Sequence, residues 1–505
     1  MKLSAGTISV IDPANVILPP PKFSELPERV LQFGAGILLR GLPDYLIDKA
    51  NRNGIFNGRI VVVKSTAAGD INAFSHQDGL YTICVRGIQN GQIDSGNIIS
   101  SSISRVLSAH EQWPEVLKCA SNPELKIIIS NTTEVGIEKI NEDINQLPPT
   151  SFPGKLCAFL VERYKLFGKN EGGLIIIPTE LISENGKKLK SIVLSLAKEN
   201  SISREFDEWI EEKVRFCDSL VDRIVPGKPT PEISESLQKE LAYEDELMII
   251  TEPYHLWAIE GDEKVKRTLS FSEADPQVII TPNIGEYREL KLRLLNGTHT
   301  LSCAVAHLAG FQYVNQSMND DSFFSFIKSM MLNEIAPAIP YDFAESKARD
   351  FGLQVIERFS NPYIHHPWLN ISMHYTAKLQ SRVVPLLLKY FGKYKMVPSH
   401  MSFGFAAYLL FMKAVKCDNN LYYGQYNGED YLINDTAAPV FYELWKTKKI
   451  PELVKHVLKN KDLWQYDLSQ LPYFSNTVSD LLSYLHDNGV VAGLLDLDAK
   501  KSTNQ

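Results

Sequence analysis

Arg29-Val-Leu-Gln-Phe33-Gly34-Ala35-Gly36, continuing into Ile37-Leu-Leu-Arg40, is the stretch on which the fold turns. Its first five residues make a short apolar run suited to a buried strand, two glycines interrupt it, and a helical pattern then continues to about Lys49. Strand, glycine turn and helix in that order open a dinucleotide-binding unit: the first glycine allows the tight turn, and the second lets the backbone approach a pyrophosphate. The third glycine of the full pattern is missing, because position 39 is Leu39, with Arg40 and Gly41 beyond. An ordinary structural turn has the same composition, so the surroundings must decide.

The surroundings repeat the rhythm. Arg59-Ile-Val-Val-Val63, Leu125-Lys-Ile-Ile-Ile129 and Gly173-Leu-Ile-Ile-Ile177 are further short β-branched runs, and the segments Trp113 to Cys119 and Pro153 to Phe167 between them read as helices. Such alternation predicts a parallel, doubly wound sheet. Beyond about Ile284 the β-branched runs stop, and helical periodicity takes over at 286–310, 320–336, 343–358, 369–393, 400–416, 437–447 and 476–488. A chain of 505 residues exceeds one hydrophobic core. The expected fold is therefore α/β, with a Rossmann-type nucleotide-binding domain over 1–284 and a mainly α-helical domain over 285–505.

Composition narrows the function. Hydrophobic residues at 44% and charged residues at 22% are ordinary for a globular protein, and a net charge of -8 provides no basic field for nucleic acid or an anionic membrane. No apolar stretch approaches the roughly 20 residues of a membrane helix, and the N-terminus lacks a basic segment followed by an apolar run, so a cytoplasmic location is expected. The six cysteines, at 84, 119, 157, 217, 303 and 417, form no CxxC pair and read as reduced core residues. His365 and His366 are adjacent and splay apart, and HExxH spacing is absent, so no metal is expected.

At the nucleotide end, the acidic residue that would hold a ribose 2′-hydroxyl after the second strand is replaced by Lys64-Ser65-Thr66. That leaves two cofactors open, NADP with Lys64 near its 2′-phosphate, or NAD held by other contacts. After the later strand, Ser130-Asn131-Thr132-Thr133-Glu134-Val135-Gly136 puts small hydroxyl and amide groups where a nicotinamide ribose would lie, though a helix cap has similar chemistry. Gly34, Gly36, Arg40, Asn131 and Thr132 are the expected cofactor contacts.

A second constellation lies just past the domain boundary, in Glu289-Leu-Lys291-Leu-Arg-Leu-Leu-Asn296-Gly-Thr-His299. On an α-helix Lys291, His299 and Asn296 stand at roughly 0°, 80° and 140°, so all three can face one cleft, expected between the two domains. Each alone has a bland explanation, a solvated lysine or a core histidine. Together, inside a leucine-rich and therefore buried helix, they suggest a reaction site.

The pattern K-x4-N-x2-H, carried by Lys291, Asn296 and His299, resembles the signature of the mannitol dehydrogenase family of long-chain polyol dehydrogenases. Gln32-Phe-Gly34, Gln77-Asp-Gly-Leu-Tyr81-Thr82, the segment Ser130 to Glu134, Leu220-Val-Asp222-Arg-Ile-Val225 and Arg358-Phe-Ser-Asn-Pro-Tyr-Ile364 extend the likeness over about 28 to 490, towards a branch acting on keto sugar acids. The resemblance implies a zinc-independent hydride transfer with NAD, in which Lys291 is the general acid/base and Asn296 and His299 bond the reacting oxygen. It implies a small-molecule sugar acid as partner, a substrate aspartate at Asp222 and a substrate lysine at Lys378. Asp222 could instead pair with Arg223, and Lys378 could be a solvated helix residue. Two positions depart from the polyol pattern: Thr179-Glu180-Leu181 replaces Asp-Asn-Leu, which makes Glu180 a substrate contact of altered chemistry, and Asn370 replaces an arginine. Another keto sugar acid or a neutral ketose as the substrate, or a nucleotide-binding sensor without catalysis, are the other readings.

Overall fold

The stretch Arg29 to Phe33 lies in the centre of a six-stranded sheet. The computed structural model describes residues 1–65, 71–89, 91–132 and 136–502; Thr66, Thr133, Glu134 and Val135, which fall in segments singled out above, lie outside the described residues. Two compact units emerge, residues 1–87 with 93–284 and residues 88–92 with 285–505. In the first, β1 (Glu28–Phe33), β2 (Arg59–Lys64), β3 (Ile103–Ser108), β4 (Ile127–Ser130), β5 (Ile175–Pro178) and β6 (Arg215–Phe216) run in the order β6-β5-β4-β1-β2-β3. Every pairing in this sheet is parallel. That order, reversing direction between β1 and β4, is the doubly wound one, and it creates a crevice beyond the strand ends at the reversal.

Side-chain alternation fills both faces of the sheet. Leu31, Phe33, Val61 and Val63 belong to one apolar cluster, together with Leu156, Phe159 and Leu160 of a later helix. Val30, Ile60 and Val62 belong to the other, with Leu42, Leu46 and Ile47. The helix expected to run from the glycine turn to Lys49 is broken: α1 (Ile37–Gly41) ends at Leu42, and a new helix starts at Pro43. The cause is local, because proline lacks an N–H and disfavours helical backbone in the residue before it. Leu42 accordingly sits at φ -133°, ψ -77°. Two three-stranded sheets escaped the sequence reading, one joining Ser219–Asp222, Leu256–Glu260 and Val278–Thr281, the other Tyr81–Val85, Asn97–Ser100 and Ile249–Thr251. The long helix α2 (Phe152–Phe167) is capped by Ser151, whose hydroxyl accepts from the Gly154 amide.

The second unit is helical, as its periodicity predicts. The segment 286–310 is not one α-helix: α3 (Gly285–Leu290) passes into a π-helical turn, Lys291–Gly297, and then into α4 (Thr298–Leu308). The segment 369–393 is three helices, α5 (Trp368–Ile371), α6 (Tyr375–Arg382) and α7 (Val384–Tyr394), separated where His374 takes a left-handed φ of 55° and where Pro385 removes an amide. Helix α8 (Ser399–Phe411) is buried on all sides, with Met401, Phe405, Ala406 and Leu409 fully enclosed. An antiparallel sheet, Lys416–Asp418, Leu421–Tyr426 and Glu429–Leu432, interrupts the helices and was not anticipated. Cys417 is exposed on it, while the other five cysteines are buried and free. Among the described residues no helix is long and apolar enough to cross a membrane.

Candidate active site

In the first unit a cleft of about 720 Å³ opens at the carboxyl ends of β1, β2 and β4, lined by Gly34, Ala35, Gly36, Lys64, Ser65, Asn131, Thr132 and the start of α2. Gly34 has a φ of +126°, and a Cβ there would lie 2.9 Å from the Asn131 carbonyl oxygen and 2.9 Å from a Leu39 methyl. Only glycine fits that approach of the turn to β4. At Gly36 a Cβ would meet nothing within 4 Å, so the open space beside the backbone is available to a ligand. The turn is held from below by Gln32, whose amide donates to the Gly34 carbonyl at 3.2 Å. These features suit the pyrophosphate of a dinucleotide.

Asn131 and Thr132 reach this cleft, and Glu180 positions both ends of their loop. One Glu180 oxygen accepts from the Thr132 amide at 2.9 Å and hydroxyl at 3.0 Å, and the other from the Ser130 hydroxyl at 3.2 Å. Burial pushes the Glu180 carboxyl upward, against the pull of these bonds. Asn131 donates to the Thr179 carbonyl at 3.1 Å and hydroxyl at 2.9 Å. Through these bonds Glu180 orders the segment Ser130 to Thr132. Arg40, outside the cleft lining, donates to the Leu247 carbonyl at 2.6 Å and lies over the rings of Phe74 and Tyr81, because a buried guanidinium needs acceptors and aromatic faces. The sequence reading missed Lys155, which lines the cleft and donates to the Thr150 carbonyl at 2.7 Å. Its only sequence signal was its place in the first turn of α2.

Asp222 is buried at the end of its strand, outside that cleft lining. Pairing with Arg223 does not explain it: Arg223 donates to the carbonyls of Gly41 at 2.6 Å and Glu252 at 3.0 Å and stacks over Tyr45.

In the second unit Lys291 and Asn296 mark the start and near end of the π turn, five residues apart. A π turn bonds residue i to i+5, one more than an α turn, so Asn296 comes back towards the face of Lys291 instead of standing 140° from it. His299 follows in the first turn of α4 and is buried. Its ring stacks on Phe359 at 4.1 Å and meets His366 and Trp368 edge-on at 5.6 and 5.8 Å. The Nε2 atom is buried without a hydrogen-bond partner among the described residues. Burial, reinforced by His366, Arg358, Arg382 and Lys378, holds the imidazole well below its usual range and therefore neutral. Lys378, partly buried on α6, donates to the Ile371 carbonyl at 3.0 Å. Asn370 is exposed.

The neighbours that sequence reasoning missed are His366, Arg358, Arg382 and Phe359. Two of them sit in the Arg358-Phe359-Ser-Asn-Pro segment noted for its resemblance, but only folding places them beside His299. The π turn is fastened to the end of α6 by Arg293, which pairs with Glu289 at 2.9 Å and donates to the carbonyls of Ser381 and Arg382 at 2.7 and 2.8 Å.

A dinucleotide-type cleft on a doubly wound sheet, followed by a helical unit bearing a lysine, an amide and a neutral imidazole, defines a dehydrogenase of the class that interconverts alcohols and carbonyls. Residues 28–273 match the mannitol dehydrogenase Rossmann domain and residues 283–485 the mannitol dehydrogenase C-terminal domain. The chain belongs to the mannitol dehydrogenase family. It is similar to the altronate oxidoreductase of Halalkalibacterium halodurans, 37% identical over 488 residues that span 94% of each protein. The altronate oxidoreductase of Bacillus subtilis is 35% identical, over 94% of this chain and 95% of its own. Two solved structures share the fold: Pseudomonas fluorescens mannitol 2-dehydrogenase in ternary complex with NAD and D-mannitol, at TM-score 0.71 and 21% identity over 99% and 100% of the chains, and a D-sorbitol dehydrogenase in substrate-free form, at TM-score 0.79 and 22% identity over 98% and 100%.

Proposed function

We propose that the protein reduces D-tagaturonate to D-altronate with NADH, reversibly, as a step of hexuronate breakdown. The observation that carries this reading is the grouping of Lys291 and Asn296 on one π turn with a neutral His299 just beyond it, in a chain aligned almost end to end with altronate oxidoreductases. Bound NADH supplies a hydride to the substrate carbonyl carbon. Asn296 donates its amide N–H, and His299 a ring N–H, to the carbonyl oxygen as negative charge gathers there; such positioned donors contribute on the order of 3 kcal/mol each. The buried and unpartnered Nε2 of His299 has the chemistry of a donor awaiting an acceptor. Lys291 delivers the proton that completes the alcohol, and takes it back in the oxidative direction. Asp222 and Lys378 hold substrate hydroxyl and carboxylate oxygens.

On the cofactor side, Gly34, Gly36, Asn131 and Thr132 carry the dinucleotide, and Lys64 in the cleft lining makes the comparison with NADPH necessary. The test is oxidation of NADH and NADPH by purified protein with tagaturonate, fructuronate and fructose. Tagaturonate with NADH is expected to give the highest kcat/KM. A preference for fructuronate or fructose moves the protein to a fructuronate reductase or mannitol 2-dehydrogenase activity. Tight NADH binding with no ketone turned over makes it a nucleotide-binding sensor.

A further inference from the structure

Arg382, at the end of α6, is a partly buried cation whose charge no described carboxylate balances. Its Nη1 donates to the Thr300 hydroxyl at 3.1 Å, and no carboxylate pairs with it among the described residues. Two other enclosed arginines show fuller satisfaction, and a third, Arg40, adds two aromatic faces to its one carbonyl. Arg293 has Glu289 and two carbonyls. Arg163 donates to four carbonyls, those of Gly172, Ala120, Asn122 and Leu125. Arg382 has a single neutral hydroxyl, which leaves most of a five-donor fork unused. Desolvating a cation without such compensation costs free energy, and burial duly lowers the Arg382 pKa with no acid opposing it.

Its place connects it to the reaction site. The Thr300 hydroxyl that accepts from Arg382 donates in turn to the Asn296 carbonyl at 2.7 Å, so one hydroxyl separates the guanidinium from the backbone of the π turn. Lys378 lies one helical turn earlier on α6, on the same face. Arg382 and Lys378 are both among the groups that depress His299, which places their charges within reach of its imidazole. A neutral polyol has no charge to answer that of Arg382, whereas a carboxylate does so with the bidentate geometry a guanidinium favours.

We propose that Arg382, with Lys378 beside it, seats the substrate's carboxylate, and that this seat makes the enzyme select keto acids over neutral ketoses. The inference rests on the keto-acid reductase reading above. Its test is the ratio of kcat/KM for tagaturonate to kcat/KM for fructose, measured on the wild type, Arg382→Gln and Arg382→Lys. Loss of a charged hydrogen-bonded contact predicts a fall in that ratio of roughly 10- to 100-fold in Arg382→Gln, carried mainly by KM for the acid, with Arg382→Lys intermediate. An equal loss on both substrates, or a loss in kcat alone, assigns Arg382 to the scaffold and overturns the proposal. Should the variants unfold, inhibition of the wild type decides: altronate must bind at least about tenfold more tightly than altritol, the same polyol without the carboxylate, and equal binding refutes the seat. A wild type that turns over no keto acid at all refutes the underlying function instead, which separates the two failures.

Discussion

At the scale of single residues, Lys291 is expected to be the proton donor, and Lys291→Ala should lower kcat by about 10²- to 10⁴-fold while NADH affinity stays within about twofold. Steady-state turnover with tagaturonate checks it, and normal turnover removes the lysine from the mechanism. His299, kept neutral by burial and by its cationic neighbours, should add no inflection near pH 6.5 to the profile of kcat/KM. A limb there that vanishes in His299→Gln would contradict that. The K-x4-N-x2-H spacing made these positions visible in sequence because they lie within nine consecutive residues. Arg382 and His366 were invisible, since a lone arginine in a helix and one of two adjacent histidines carry no spacing signal. Arg40 shows the converse: proximity to the glycine turn in sequence says nothing of where a guanidinium finds its acceptors.

At the scale of elements, the glycine turn and the π turn each yield a prediction. Gly34→Ala forces a Cβ to 2.9 Å from the Asn131 carbonyl oxygen at a φ that L-residues avoid. Strain of about 1–3 kcal/mol should weaken NADH binding by roughly 10- to 100-fold, read by fluorescence titration. The π turn holds one residue more than an α turn, so deleting Leu292 should restore α geometry and rotate Lys291 by about 100° relative to Asn296 and His299. Activity should be lost with the helix signal in circular dichroism unchanged; retained activity would show that the phase of the turn is irrelevant. The parallel strands were legible because burial on both faces leaves unbroken β-branched runs. The π turn was not, because leucines surround it and a wide turn has the composition of a tight one. The sheet around Lys416–Leu432 was missed because its residues are mostly exposed and carry no apolar pattern.

At the scale of the molecule, two shifted groups tune stability in opposite directions with pH. His307, enclosed beside Tyr431 and Phe411, is pushed down to about 4 by burial. Between its unfolded value near 6.5 and about 4 the unfolded chain binds the extra proton, so the contribution is complete above pH 6.5 and is lost as pH falls. Asp44, fully buried, is pushed up to about 8 by burial, so its contribution is complete below about 3.8 and is lost as pH rises towards 8. His307→Phe should reduce the fall in Tm between pH 7 and 4.5, and Asp44→Asn should raise Tm more at pH 8 than at pH 5; calorimetric scans check both, and parallel curves for variant and wild type would refute either. The chain's own order of residues determined its two architectures, the doubly wound sheet and the helical unit, because periods of 2 and 3.6 and the placement of glycine and proline are local properties. It also made the proposed reacting set legible, because its members share one short segment. Only the tertiary structure decided the neighbourhood of that set, the neutrality of His299, the contacts of Glu180 and the lack of a carboxylate beside Arg382 among the described residues, because burial and counter-charge are supplied by segments distant in sequence.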